Sequence, residues 1–244
     1  MKRILLFLLC IFLLQNIYCQ CNKINGVSAN KSETEELNKG DSIYNYIVKL
    51  DIKPECFLLR KHSITAAFID SDLLITACFN FLREERVKNI KIISSDTITL
   101  TNKDYTFISL RSKTYSTDMC LIKIKDTNKL KQIYKGHFKT GLYNQLSENK
   151  TVNLTGYSGS KPDKLINRKT FKNKLYINEC ENLIAYNFCI CSKEKGMPLW
   201  ANINGEAVII GIHHGEESDF FPENWNSATL FTQEAIRLIN TAKK

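Results

Sequence analysis

Hydrolysis through a covalent intermediate needs a serine or cysteine nucleophile, an imidazole to take its proton, and a carboxylate to orient that imidazole. The chain holds four histidines, His62, His137, His213 and His214, so any such acid–base role falls to one of them. Shortly before the last two, residues 188–200 read Phe-Cys-Ile-Cys-Ser-Lys-Glu-Lys-Gly-Met-Pro-Leu-Trp. Within that stretch Cys191 and Ser192 are the nucleophile candidates for a site built on His213 or His214. Cys189 and Cys191 have no second pair of histidines or cysteines at ligand spacing, which argues against zinc. No metal and no cofactor is expected.

The elements that must position these residues are short. Segments 46–50, 65–69, 73–76, 87–93, 97–100, 106–110 and 119–124 have strand length and are rich in β-branched and aromatic residues. After a lysine-rich connector near 125–140 the texture repeats over 152–157, 170–178, 183–189, 199–203, 206–212 and 228–232. Asp70-Ser71-Asp72 is a tight-turn signal. Asn204-Gly205 predicts a hairpin, because both residues tolerate the positive φ of a type I′ turn. From Thr232, a natural N-cap, the spacing turns helical with Ile236 and Ile239 on one face. Residues 20–45 are polar and read as an extended arm. Many short strands predict an all-β chain built on antiparallel sheet, with sandwich and barrel both open on strand count alone.

The chain begins with Lys2-Arg3, an apolar run over 4–14 and a small residue at Cys19, the form of a secretory signal covering 1–19. A membrane span needs about 20 apolar residues, so a secreted, extracellular chain is expected, with no membrane association after cleavage. Nine cysteines become seven without Cys10 and Cys19, and an oxidising compartment then implies about two or three bridges. Asn30, Asn149 and Asn153 head glycosylation sequons. The net charge is +9, from 34 Lys and Arg against 25 Asp and Glu. The excess lies over 123–139 and in the run Lys161, Lys164, Arg168, Lys169, Lys172 and Lys174. Such runs can bind polyanions or simply cover solvated faces. Without interleaved aromatics they do not point to nucleic acid.

Four fragments, in order along the chain, resemble the chymotrypsin-like serine peptidases. Residues 188–200 resemble the Gly-Asp-Ser-Gly-Gly/Ser-Pro-Leu nucleophile loop; Gly196, Pro198 and Leu199 keep their places. Lys195 stands at the serine, Glu194 at the aspartate and Lys193 at the first glycine of the oxyanion loop. Residues 73–79, Leu-Leu-Ile-Thr-Ala-Cys-Phe, resemble the segment ending in the catalytic histidine, so Phe79 stands at that histidine. Asp118, opening Asp-Met-Cys-Leu-Ile-Lys-Ile, matches the triad aspartate. Ile212-His213-His214-Gly215 resembles the Val-Ser-Trp-Gly edge that pairs with substrate backbone, which implies a binding cleft at His213, His214 and Gly215 and brings His213 toward Asp118. The resemblance also implies a Cys180–Cys189 bridge and a Cys56–Cys78 bridge, with Cys191 at a pocket wall whose partner cysteine is missing. Residues 23–29 are similar to the mature N-terminus, whose freed ammonium pairs in the family with the aspartate before the serine; here Lys23 replaces the new terminal isoleucine and Asn22 precedes it.

What this implies is one peptidase-like domain over 20–244. It would have two antiparallel six-stranded β-barrels, near 46–125 and 140–232, and a C-terminal helix over 232–243. With no intact catalytic set, the implied activity is binding of a protein partner, whether a peptidase, a zymogen or an inhibitor. Two other readings stay open. One is an active serine-type hydrolase using Ser192 or Cys191. The other is a basic module for polyanions.

Overall fold

The computed structural model describes residues 33–54, 62–78, 87–110, 119–159, 163–178, 182–186, 188, 190, 194–214 and 225–244. The leader-like segment 1–19, with Asn30, Cys56, Phe79, Asp118, Cys180, Cys189, Cys191, Ser192, Lys193 and Gly215, lies outside the described residues.

Part of the polar arm forms a strand, β1 (Glu33–Glu36), and a single 3-10 turn follows over Ser42–Tyr46. The first half then runs β2 (Ile47–Pro54), β3 (His62–Asp70), β4 (Leu73–Ala77), β5 (Val87–Ile93), β6 (Thr97–Thr101), β7 (Tyr105–Ser109) and β8 (Met119–Ile124). These seven make an antiparallel sheet in the order β6-β5-β2-β3-β4-β8-β7. The turn signal at 70–72 joins β3 to β4, with the Ser71 N–H donating to Asp70 Oδ1 at 2.7 Å. β4 is buried along its whole length because it faces two cores. Leu74 enters the first sheet's own core with Val48, Phe68 and Ile122, while Leu73 and Ile75 turn to the opposite side. An apolar strand covered on both faces reads as a continuous hydrophobic run, and Leu-Leu-Ile-Thr-Ala is one.

The second half runs β9 (Lys139–Thr140), β10 (Thr151–Tyr157), β11 (Leu165–Phe171), β12 (Tyr176–Asn178), β13 (Leu183–Tyr186), β14 (Pro198–Ile203), β15 (Glu206–His213) and β16 (Asn226–Leu230), followed by α1 (Gln233–Ala242). The sheet order is β1-β11-β10-β14-β15-β16-β13-β12, with β9 parallel to β15. Asn204 and Gly205 take φ of 53° and 87° between β14 and β15, as the hairpin signal requires. The Thr232 hydroxyl caps α1 by accepting from the Ala235 N–H at 3.1 Å. Two curled antiparallel sheets and a terminal helix are therefore the architecture.

Among the described residues the sheets carry seven and nine strands rather than six each. One addition is β1, which pairs with β11; Glu35 and Glu36 reach Lys169 and Lys164 at 2.8 and 2.6 Å. Another is β9. Segment 170–178 is not one strand, because Lys172 turns inward and donates to the Leu146 carbonyl and to Glu148, both at 2.8 Å. A 3-10 turn over Lys172–Lys174 accommodates this and splits β11 from β12.

A third core lies between the sheets. Ile47, Ile69, Leu73 and Leu121 from the first meet Leu165, Ile209, Ile212 and Phe231 from the second half, closed by Phe138 of the connector and Ile239 of α1.

Candidate functional site

The turn that leads into β14 is fixed residue by residue. Gly196 has φ of +81°, and a β-carbon there would strike the Thr65 carbonyl oxygen and the Thr76 hydroxyl, so both backbone and packing require glycine. Its N–H donates to the His213 carbonyl at 2.8 Å, and the His213 N–H donates to the Met197 carbonyl at 2.9 Å. Thr65 joins the turn to the first sheet. Its N–H donates to the Lys195 carbonyl at 2.9 Å, its hydroxyl oxygen accepts from the Tyr157 N–H at 3.0 Å, and its carbonyl accepts from the Thr76 hydroxyl at 2.6 Å.

Glu194 points inward with its side chain 1% exposed. One carboxylate oxygen lies 2.8 Å from Arg168 Nη2, and the other accepts from the Gly159 N–H at 2.9 Å. Arg168, 7% exposed, comes from the middle of β11. Removing either member of such a pair leaves a buried charge uncompensated, at a cost of about 3–5 kcal/mol. Lys195 is half-buried on the same turn.

His213 is wholly buried at the end of β15. Its Nδ1 sits 2.9 Å from the Ser227 carbonyl and 2.7 Å from the Tyr186 hydroxyl. A carbonyl only accepts, so Nδ1 carries the proton and the lone pair falls on Nε2, a buried atom with no hydrogen-bond partner. Burial, with the charge of His214 next in size, pushes His213 down to about 3, against the opposing Ser227 hydrogen bond. His214 lies 3.1 Å from the Ser227 hydroxyl through Nε2 and is pushed down to about 4 by burial and then by Lys195. Both imidazoles are neutral at physiological pH.

Of the residues singled out in the sequence, the structure brings together Glu194, Lys195, His213 and His214. Phe79, Asp118, Lys193 and Gly215 are outside the described residues, as is any approach of His213 to Asp118. The frame around them is described: β4 pairs with β8, Ala77 opposite Met119. Cys78 and Cys120 are buried in the first core, and no disulfide is present among the described residues; Cys56, Cys180 and Cys189 are outside them. Asn149 is exposed. Asn153 is buried, its amide oxygen accepting from Asn167 Nδ2 at 3.1 Å. Among the described residues no group of three or more His, Cys, Asp or Glu side chains could hold a metal ion. No helix among them is long and apolar enough to cross a membrane.

The basic run is dispersed. Lys164, Lys169 and Lys172 pair with Glu36, Glu35 and Glu148, and Arg168 is buried on Glu194. Two partnerships of the site were missed from sequence, Arg168–Glu194 and Tyr186–His213. For the first there was a sign: Arg168 is the one arginine in a run of lysines, and a planar guanidinium suits a buried carboxylate better than an ammonium does. A separate groove of about 550 Å³ runs beside β1, past Glu35, Asn153, Asn167, Lys169 and Trp200. Its buried amides are satisfied by one another and by Thr155.

The fold is that of the chymotrypsin-like serine proteases. Among solved structures the chain is similar to a Glu endopeptidase in complex with MPD, with TM-score 0.65 and 18% identity, covering 89% of this chain and 99% of that one. It is also similar to the protease Anisep from Arthrobacter nicotinovorans, with TM-score 0.63 and 9% identity over 86% and 99% of the two chains. A third is the thermostable serine protease AL20 from an extremophilic microorganism, with TM-score 0.62 and 9% identity over 82% and 97%. No protein-family model and no curated protein sequence matches the chain.

Proposed function

We propose that the chain is a secreted, catalytically degenerate relative of the serine peptidases that works by binding a protein, namely a peptidase, its zymogen or an inhibitor. The observation that carries this reading is Lys195. The turn around it keeps the glycine and the ties to both sheets, yet the side chain between Glu194 and Gly196 has no hydroxyl or thiol to form an acyl ester. Phe79, at the position the resemblance gives to the general base, has no proton-accepting nitrogen. His213 does not supply one in its stead, since it is fully buried beneath the turn with Nδ1 committed to Ser227. What is taken from the similar proteases is their frame, not their reaction.

The test has two arms. The purified protein should take no label from a fluorophosphonate probe and cleave no member of a mixed peptide library. Added to a serine peptidase and its protein inhibitor, it should shift the inhibition curve in a saturable way. Labelling that maps to Ser192 and disappears on denaturation would overturn the proposal in favour of an active hydrolase.

A further inference from the structure

We propose that the groove beside β1 is a saccharide-binding site, separate from the site over 194–214 and independent of whether that site binds or cleaves. Its floor is one face of four paired strands. Two rows of neighbours cross it, Glu35–Asn167–Thr155 and Lys169–Asn153–Trp200, set opposite one another by the register of β1, β11, β10 and β14. Arg168, between Asn167 and Lys169, turns to the other face of the sheet and reaches Glu194. Asn153 and Asn167 are 6% and 2% exposed, and Thr155 is wholly buried. Trp200 Nε1 donates to the Thr155 hydroxyl at 2.8 Å, and that hydroxyl donates to the Asn167 amide oxygen at 2.6 Å. Asn167 Nδ2 donates in turn to Asn153 at 3.1 Å and to Glu35 at 3.0 Å. This network fixes the side chains ahead of any ligand without exhausting them. Among the described residues each of the two amide oxygens accepts once, which leaves each a second lone pair.

The chemistry of the floor selects the ligand. Glu35 and Lys169 neutralise each other at 2.8 Å, and Asp41 and Lys150 at the rim again bring one charge of each sign, so an uncharged ligand is favoured. An amide both donates and accepts, as a sugar hydroxyl does. The Trp200 indole adds apolar surface suited to the C–H face of a sugar ring. An extended peptide docks instead on the open backbone of a strand edge, whereas β11, β10 and β14 are each paired on both sides. The volume of about 550 Å³ falls within the range of small-ligand pockets, about 300–1,000 Å³. A second observation is the place of a sequon, since Asn149, Lys150 and Thr151 all line the groove. Asn149 is exposed on a turn closed by the Lys150 N–H, which donates to the Ser147 carbonyl at 3.0 Å. A sugar chain attached there starts at the mouth of the groove, so the saccharide is either the chain's own or one carried by another molecule.

The experiment follows the Trp200 indole N–H by NMR in the full purified chain, which has two tryptophans, so that Trp225→Phe assigns the signal. Thr151→Ala removes the Asn149 sequon and gives a chain with no sugar at the groove. In that chain N,N′-diacetylchitobiose, the disaccharide at the root of N-linked glycans, should shift the signal saturably. Asn153→Leu should weaken the binding by about tenfold, and if this variant does not fold the titration without it still decides. The chain made with its glycan in a secreting eukaryotic cell then separates the two sources. A signal already at the bound position, unmoved by added disaccharide and returned when an amidase removes the glycan, assigns the groove to the chain's own sugar. A signal that the disaccharide still shifts assigns it to the sugar of another molecule. No saturable shift in the Thr151→Ala chain up to about 10 mM disaccharide, where a millimolar Kd is readily seen, would overturn the proposal. So would blocked tripeptides that shift the signal where the disaccharide does not, which would make this a peptide groove.

Discussion

His213 and His214 sit at the end of one strand, and their burial has a consequence for acid stability. An unfolded histidine titrates near 6.5, whereas these are pushed down to about 3 and about 4 in the folded chain. Between those values and 6.5 the unfolded chain binds protons that the folded chain refuses. Their contribution to stability is therefore full above pH 6.5 and is lost as pH falls toward 4 and then 3, by about 1.4 kcal/mol per pH unit for each ring. Around them stand Tyr186, Ser227, Lys195 and Arg168, and no carboxylate is among the causes of either shift. Ring NMR signals of both histidines should stay constant from pH 8 to pH 5; a midpoint near 6.5 for either would show that it is not buried as described. At this scale the turn into β14 was legible, because Gly196 and Pro198-Leu199 lie within four residues of one another. Arg168 was not legible as a member of the site, since its partner lies 26 residues further along.

Among the elements, the legible ones carry their reasons locally. Asn204-Gly205 forms the turn that its own φ preferences demand, and Thr232 caps the helix three residues ahead. The element that escaped was β1, a polar segment whose side chains are held by Lys164, Asn167 and Lys169, in and just before a strand more than 120 residues away. Likewise the break between β11 and β12 is imposed by Leu146 and Glu148, which nothing near Lys172 announces. The helix offers a direct measurement. Thr232→Ala removes the cap on the Ala235 N–H and should lower unfolding free energy by about 1 kcal/mol in a denaturant titration, with the slope unchanged. A loss much above that would mean that the mutation also displaces Ile239 and Ala235 from the core between the sheets.

For the whole molecule, two antiparallel sheets and a C-terminal helix were readable from strand length and fragment order, while the meeting of the sheets was not. The core between them draws on Ile47, Ile69 and Leu73 from one half and on Leu165, Ile209, Ile212 and Phe231 from the other. All are buried in the one cluster that both halves share, and each large aliphatic chain among them contributes about 1.5–3 kcal/mol on burial. Thr65 adds hydrogen bonds across the same seam, from its N–H to the Lys195 carbonyl and to its hydroxyl from the Tyr157 N–H. Heating should consequently give one calorimetric endotherm whose integrated and van't Hoff enthalpies agree, and two resolved peaks would contradict the shared core. A gene cut within the connector should then yield two fragments that are each insoluble when expressed apart and that become soluble when made together in the same cell.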